Sequence, residues 1–92
     1  MVNSEKIKNH YLALLQVVEA EATTNMASHD FLTYLNKYKD QFTSANNTMH
    51  SAELKESIRG VNRFADQFVF SAPHDFKIRM LINTLYETLS QS

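Results

Sequence analysis

His10, His29, His50 and His74 are the side chains of this 92-residue sequence best suited to metal ligation or proton transfer. A metal face on one helix needs ligands at i, i+3 or i+4, and no two of these histidines are so spaced; an HExxH pattern is also absent. Three of them fall at or near expected helix ends, where an imidazole is solvated or structural and needs no chemical role. Disulfides, thiol catalysis and the usual structural zinc sites all require cysteine, and there is none. Gly60 is the sole glycine, too few for a phosphate-cradling loop, and no GxSxG elbow occurs. The sequence therefore nominates no catalytic residue, no metal ligand and no cofactor site. It does not read as an enzyme.

Charge is the next possible chemistry. Lys55, Arg59 and Arg63 stand at i, i+4 and i+8, which at about 100° per residue places them together, away from the apolar stripe of their helix. Phosphate binding would want that stripe unopposed. Glu56 and Asp66 share the face instead, with Glu56–Arg59 and Arg63–Asp66 at i, i+3, and the formal charge of the chain is −1. A compensated, solvated face with no nucleic-acid partner is expected. The stretch MHSAELKESIRGVNRF bears comparison with the phosphotransfer helix of histidine-phosphotransfer domains, where Leu, Lys and Gly closely follow the phosphorylated histidine. Here Leu54 and Lys55 lie a full turn too far past His50, Glu56 occupies a position that should be small, and His50 falls in an N-cap region. That reading fails.

The least routine stretch is FVFSAPHDFKIRM, residues 68–80, which holds the only proline. Pro73 disfavours helical geometry in the residue before it, so one helix must end here. Ser71 is a good N-cap, Pro73 is tolerated in a first turn, and Asp75 suits the positive end of the new dipole. The restarted helix carries Ile78, Ile82, Leu85 and Leu89 on its core face. Phe76 and Met80 project roughly 160° from that face, adjacent to each other at i, i+4 and flanked by Lys77 and Arg79. Exposed apolar pairs mark partner surfaces, and Phe and Met are common anchors. Phe70, His74, Phe76, Lys77, Arg79 and Met80 form the expected partner-binding set.

The elements that must position these residues follow from apolar spacing. Ile7, Tyr11, Leu14, Leu15, Val18 and Ala22 keep a helical 3–4 rhythm behind an N-cap at Asn3 or Ser4. ATTNMAS breaks the rhythm, and Ser28 can cap a second helix bearing Phe31, Leu35, Tyr38 and Phe42. TSANN closes it, and Thr48 or Ser51 begins a third with Leu54, Ile58, Val61, Ala65 and Phe68. One glycine and one proline leave little material for the turns of a β-rich fold. The expected fold is all-α: a single antiparallel up-down four-helix bundle forming one domain over residues 1–92. No apolar run approaches the roughly 18 residues of a membrane span, and no signal-peptide pattern opens the chain. A cytoplasmic protein is expected, able to act against a membrane partner, with a monomer or homodimer left open.

This pattern is similar to the immunity proteins that protect lactic-acid bacteria from their own pediocin-like (class IIa) bacteriocins. KIKNHYLALLQ looks like their first helix, and FLTYLNKYKDQF resembles their second. ELKESIRGVNRFADQF followed by FSAPHDFKIRMLINTLYETL resembles the last two, joined at a short Ser-containing corner. The resemblance implies a non-enzymatic cytosolic protein that blocks pore formation at the sugar-transporting phosphotransferase complex used as bacteriocin receptor. It also implies that the C-terminal half, where Phe76 and Met80 lie, carries specificity. The alternative is a small regulatory or adaptor bundle, a phage- or plasmid-encoded inhibitor or a chaperone, dimerising through the same apolar patch.

Overall fold

The computed structural model of the protein describes residues 4–43 and 51–90. Four α-helices follow one another: α1 (Ser4–Ala22), α2 (His29–Thr43), α3 (Ser51–Ala65) and α4 (His74–Ser90), with a one-turn 3₁₀ helix, Met26–Ser28, before α2. The helices are joined as an up-down bundle. α1 packs on α2 and α4, α3 packs on α4 and α2, and α1 and α3 stand on the diagonal. The expected N-cap Asn3, the helix start at Thr48 and the histidine His50 lie outside the described residues.

The apolar stripes account for the packing. Ile7, Tyr11, Leu14, Leu15, Val18 and Ala22 on α1 are all buried, as are Leu54, Ile58, Val61 and Ala65 on α3 and Ile78, Ile82, Leu85 and Leu89 on α4. Each large aliphatic or aromatic side chain so buried contributes about 1.5–3 kcal/mol before conformational entropy is subtracted. On α2, Phe31, Leu35 and Phe42 are buried and Tyr38 is half-buried. The Tyr11 ring lies flat on Phe42, with centroids 4.5 Å apart, and its hydroxyl donates to the Leu35 carbonyl at 2.6 Å. Burial pushes the Tyr11 hydroxyl well above the usual phenol range, so it serves as a fixed donor. No described helix is long and apolar enough to cross a membrane.

Two helix ends differ from expectation. Ser28 does not cap α2 with its side chain. It sits inside the 3₁₀ turn and its hydroxyl donates to the Asn25 carbonyl at 2.6 Å. Asn25 is the cap of this segment, its Oδ1 accepting from the Ala27 N–H at 3.2 Å, because an Asx side chain two residues back reaches that amide directly. α3 ends before Phe68. The Asp66 N–H still bonds the Asn62 carbonyl, but Gln67 and Phe68 bond only three residues back, to Phe64 and Ala65, so the last turn tightens and stops. Phe68 consequently leaves the helix and is half-buried at the corner.

Gly60 allows close approach of α2. A Cβ built at Gly60 would stand 2.8 Å from the Tyr34 hydroxyl oxygen, a contact that forces movement. That oxygen is the far end of a half-buried side chain and can swing away. Gly60→Ala should therefore be nearly neutral, the helix-propensity gain of about 1 kcal/mol offsetting the displaced hydroxyl. In a Tyr34→Phe background the obstruction is gone, and the same change should stabilise by about 1 kcal/mol in urea titrations. Equal effects in the two backgrounds would show that Tyr34 does not constrain the site.

Candidate functional site

The corner between α3 and α4, residues 66–73, is held by a buried carboxylate from another helix. Glu21 occupies the last turn of α1, where a negative charge faces the negative end of the helix dipole, and it is fully buried. Neighbouring donors compensate. Its Oε2 accepts from the Ser71 backbone N–H at 2.7 Å and from Asn25 Nδ2 at 3.0 Å, and its Oε1 lies 2.8 Å from His74 Nδ1. Because an ionised carboxylate can only accept, Nδ1 carries a proton in this arrangement. Burial is the largest single influence on the Glu21 carboxyl and raises its pKa. The hydrogen bonds from Asn25, His74 and Ser71 together outweigh burial and hold it at about 2.

The same bonds tie three elements together. Asn25 Nδ2 also donates to the Val69 carbonyl at 3.1 Å, linking the α1–α2 connection to the α3–α4 corner. The Ser71 carbonyl accepts from the Asp75 N–H at 2.9 Å and so opens α4, while Pro73 stands just before the first α4 residue. Since the C-terminal end of α1 meets the N-terminal end of α4 here, the two helices run antiparallel.

The six residues expected at a partner surface divide sharply. Phe76 and Met80 are exposed, by 70% and 47%, on the side of α4 opposite its core residues, and Lys77 beside them is exposed as well. Phe70 is not a surface residue. It is 5% exposed and packs its ring 5.5 Å from Phe31 and 5.9 Å from Phe68, with the Arg79 guanidinium over the Phe70 ring, 5.5 Å from its centroid. The early end of α3 turns the chain so that Phe70 points inward beneath the corner. His74 is half-buried and committed to Glu21. Arg79 bonds Asp66 at 2.9 Å and Asp75 at 3.4 Å, so Asp66 pairs across to α4 instead of with Arg63 along α3. Glu56–Arg59 does form, at 3.3 Å.

The sequence reading missed Met26 and Val69, which are 83% and 89% exposed. They lie at the same end of the bundle as Phe76, since Met26 follows Asn25 and the Val69 carbonyl is bonded to Asn25. Glu21 was missed too. Only its position one residue before the end of an apolar stripe, with Asn25 one turn beyond, hints at it.

Comparison with family models, with curated proteins and with solved structures found no match. Function must be read from the site.

Chemically, the Glu21 node is occupied with holding structure. Its carboxylate already meets donors from Asn25, Ser71 and His74, and no hydrogen bond joins Ser71 to the imidazole among the described residues. Among those residues no group of His, Asp and Glu is arranged to hold a metal ion. The large apolar side chains exposed among the described residues are Met26, Val69, Phe76 and Met80, set among exposed polar residues such as Asp66, Gln67 and Lys77.

Proposed function

We propose that this is a non-enzymatic, cytoplasmic immunity protein that protects a bacterium from a pediocin-like bacteriocin by protein–protein contact at the membrane receptor complex. The observation that supports the reading is the exposure of Phe76 and Met80 on the outer face of α4. Large apolar side chains held outward on a folded helix mark a contact surface, and they lie in the half of the chain to which the family resemblance assigns specificity. Lys77 supplies an exposed charge at the rim of the patch.

Expression in a bacteriocin-sensitive strain tests the proposal. The wild-type protein should raise survival against at least one pediocin-like peptide, and Phe76→Asp with Met80→Asp should abolish the gain while leaving thermal unfolding unchanged. No gain against any such peptide would count decisively against it. The apolar end also suits a regulatory or adaptor bundle that dimerises through the same face. Sedimentation at micromolar concentration separates the two: a dimer that Phe76→Asp dissociates would favour the adaptor.

A further inference from the structure

Phe76 and Met80 share their side of α4 with a charge that no cation balances. At about 100° per residue, Glu87 falls within about 40° of both, so the three form one exposed stripe about 16 Å long. Asn83 Nδ2 donates to Glu87 Oε1 at 3.1 Å, and among the described residues Glu87 enters no ion pair. The cations that α3 brings to this part of α4, Lys55 and Arg59, gather on the Tyr86 ring, about 100° round the helix. Glu87 also stands in the last turn of α4, at the negative end of the dipole, and that turn holds no basic residue. Lys77 is the mirror case. It is exposed in the first turn, a cation at the positive end, and it too enters no ion pair among the described residues. Both charges are set where α4 itself disfavours them and where an incoming chain can reach them.

A second copy of α4 cannot use the apolar pair and these charges together. An antiparallel pairing that sets Lys77 level with Glu87 of the second copy sets Phe76 level with Thr88 and Met80 level with Thr84. Setting Phe76 level with Met80 instead requires a slide of about 12 Å and places Glu87 level with Val69, outside the helix. A parallel pairing opposes Lys77 with Lys77 and Glu87 with Glu87. A different helix, with apolar residues and a base at the spacing of the stripe, meets all of it at once.

We propose that the outer face of α4 binds an amphipathic helix of another protein. That helix lays two large apolar side chains on Phe76 and Met80 and a Lys or Arg on Glu87. Lys77 restricts the base to the Glu87 end, because a helix cationic along its whole length meets repulsion at the other. The inference rests on the reading of the outer α4 face as a protein contact and specifies what that face selects.

The test is an NMR titration of the ¹⁵N-labelled protein with two blocked peptides, Ac-AAKAAAQAALQAALQAA-NH2 and the same chain with glutamate in place of lysine. The lysine and the two leucines repeat, in the reverse direction, the spacing of Glu87, Met80 and Phe76. The lysine peptide should shift the backbone amides of Phe76, Met80 and Glu87. It should bind about threefold or more tighter than the glutamate peptide, the range for an exposed charge pair formed in one and opposed in the other. Glu87→Gln, which keeps an acceptor for Asn83, should remove the difference, and Glu87→Lys should reverse it. No binding, equal binding of the two peptides, or a preference that survives Glu87→Gln overturns the proposal. So does a dimer in sedimentation that Phe76→Asp dissociates, which gives the face to a second copy. No bacteriocin enters this experiment, so its result is independent of the resistance assay. A failed resistance assay with a selective titration removes the immunity reading alone, and the converse removes the helix-docking inference alone.

Discussion

Replacing Glu21 with alanine is expected to destabilise the bundle by about 2–3 kcal/mol, because donors that the carboxylate satisfies are left in a closed corner. The Ser71 N–H and His74 Nδ1 lose this acceptor at once, and the Asn25 amide is left with the Val69 carbonyl. An abandoned buried donor costs about 1–3 kcal/mol, but the node lies at the end of the bundle, where part of it can recover water. Alanine also returns some helix propensity and removes a charge from the wrong end of the α1 dipole, a gain of about 0.5–1 kcal/mol. For a domain of this size the net loss lowers Tm by roughly 10–20 °C, readable by circular dichroism. A change under about 0.5 kcal/mol, within the range of ordinary surface substitutions, would show that the node is not structural.

The same carboxylate gives the stability a defined acid limb. Its folded-state pKa, about 2, is below the unfolded value of 4.5, so the contribution is fully present above the unfolded value and is lost as pH falls through the folded one. Unfolding midpoints should decline between about pH 4.5 and 2. Glu21→Gln removes the titrating group and should flatten that part of the profile at the cost of lower stability near neutrality. His74→Ala removes one of the donors that depress the pKa, and should shift the decline to higher pH.

The residues that behave as periodic apolar positions were legible; those that act through long-range polar contacts were not. Ile78, Ile82, Leu85 and Leu89 lie on the core face that their spacing specifies, and Phe76 and Met80 lie outside it, because helical geometry alone decides both. Glu21 belongs to no such pattern. It reads as a solvated end of α1, and only the fold brings residues fifty and fifty-three positions later within hydrogen-bond reach. Phe70 failed for a related reason. Extending the α3 stripe through Phe68 assumes a helix that in fact stops at Ala65, and the direction of every side chain after that stop depends on the corner. Arg79 was read from its neighbours on α4, whereas Asp66 across the corner supplies one of its carboxylates. Local pattern reports the face of a helix but not what the next element brings against it.

Phe31→Ala should produce the largest loss of all, about 3–5 kcal/mol, a major fraction of the 5–15 kcal/mol typical of a small domain. Phe31 is fully buried and is the ring on which the corner converges: Phe64, Phe68 and Phe70 stand 6.0, 5.7 and 5.5 Å away, all tilted. Tilted aromatic contacts add about 0.5–1.5 kcal/mol each beyond buried area, and the rings come from both α3 and the corner that follows it, so no single side-chain movement refills the cavity. Phe70→Ala removes part of the same cluster, and the double variant should lose less than the sum of the two single losses by about 1 kcal/mol. Phe76→Ala provides the contrast. It deletes the same ring from a position 70% exposed, six residues from Phe70, and should change stability by no more than about 0.5 kcal/mol. A phenylalanine whose removal leaves folding intact but abolishes resistance is retained for contact, whereas comparable destabilisation by Phe76→Ala would place its ring inside the fold and remove the docking face with it.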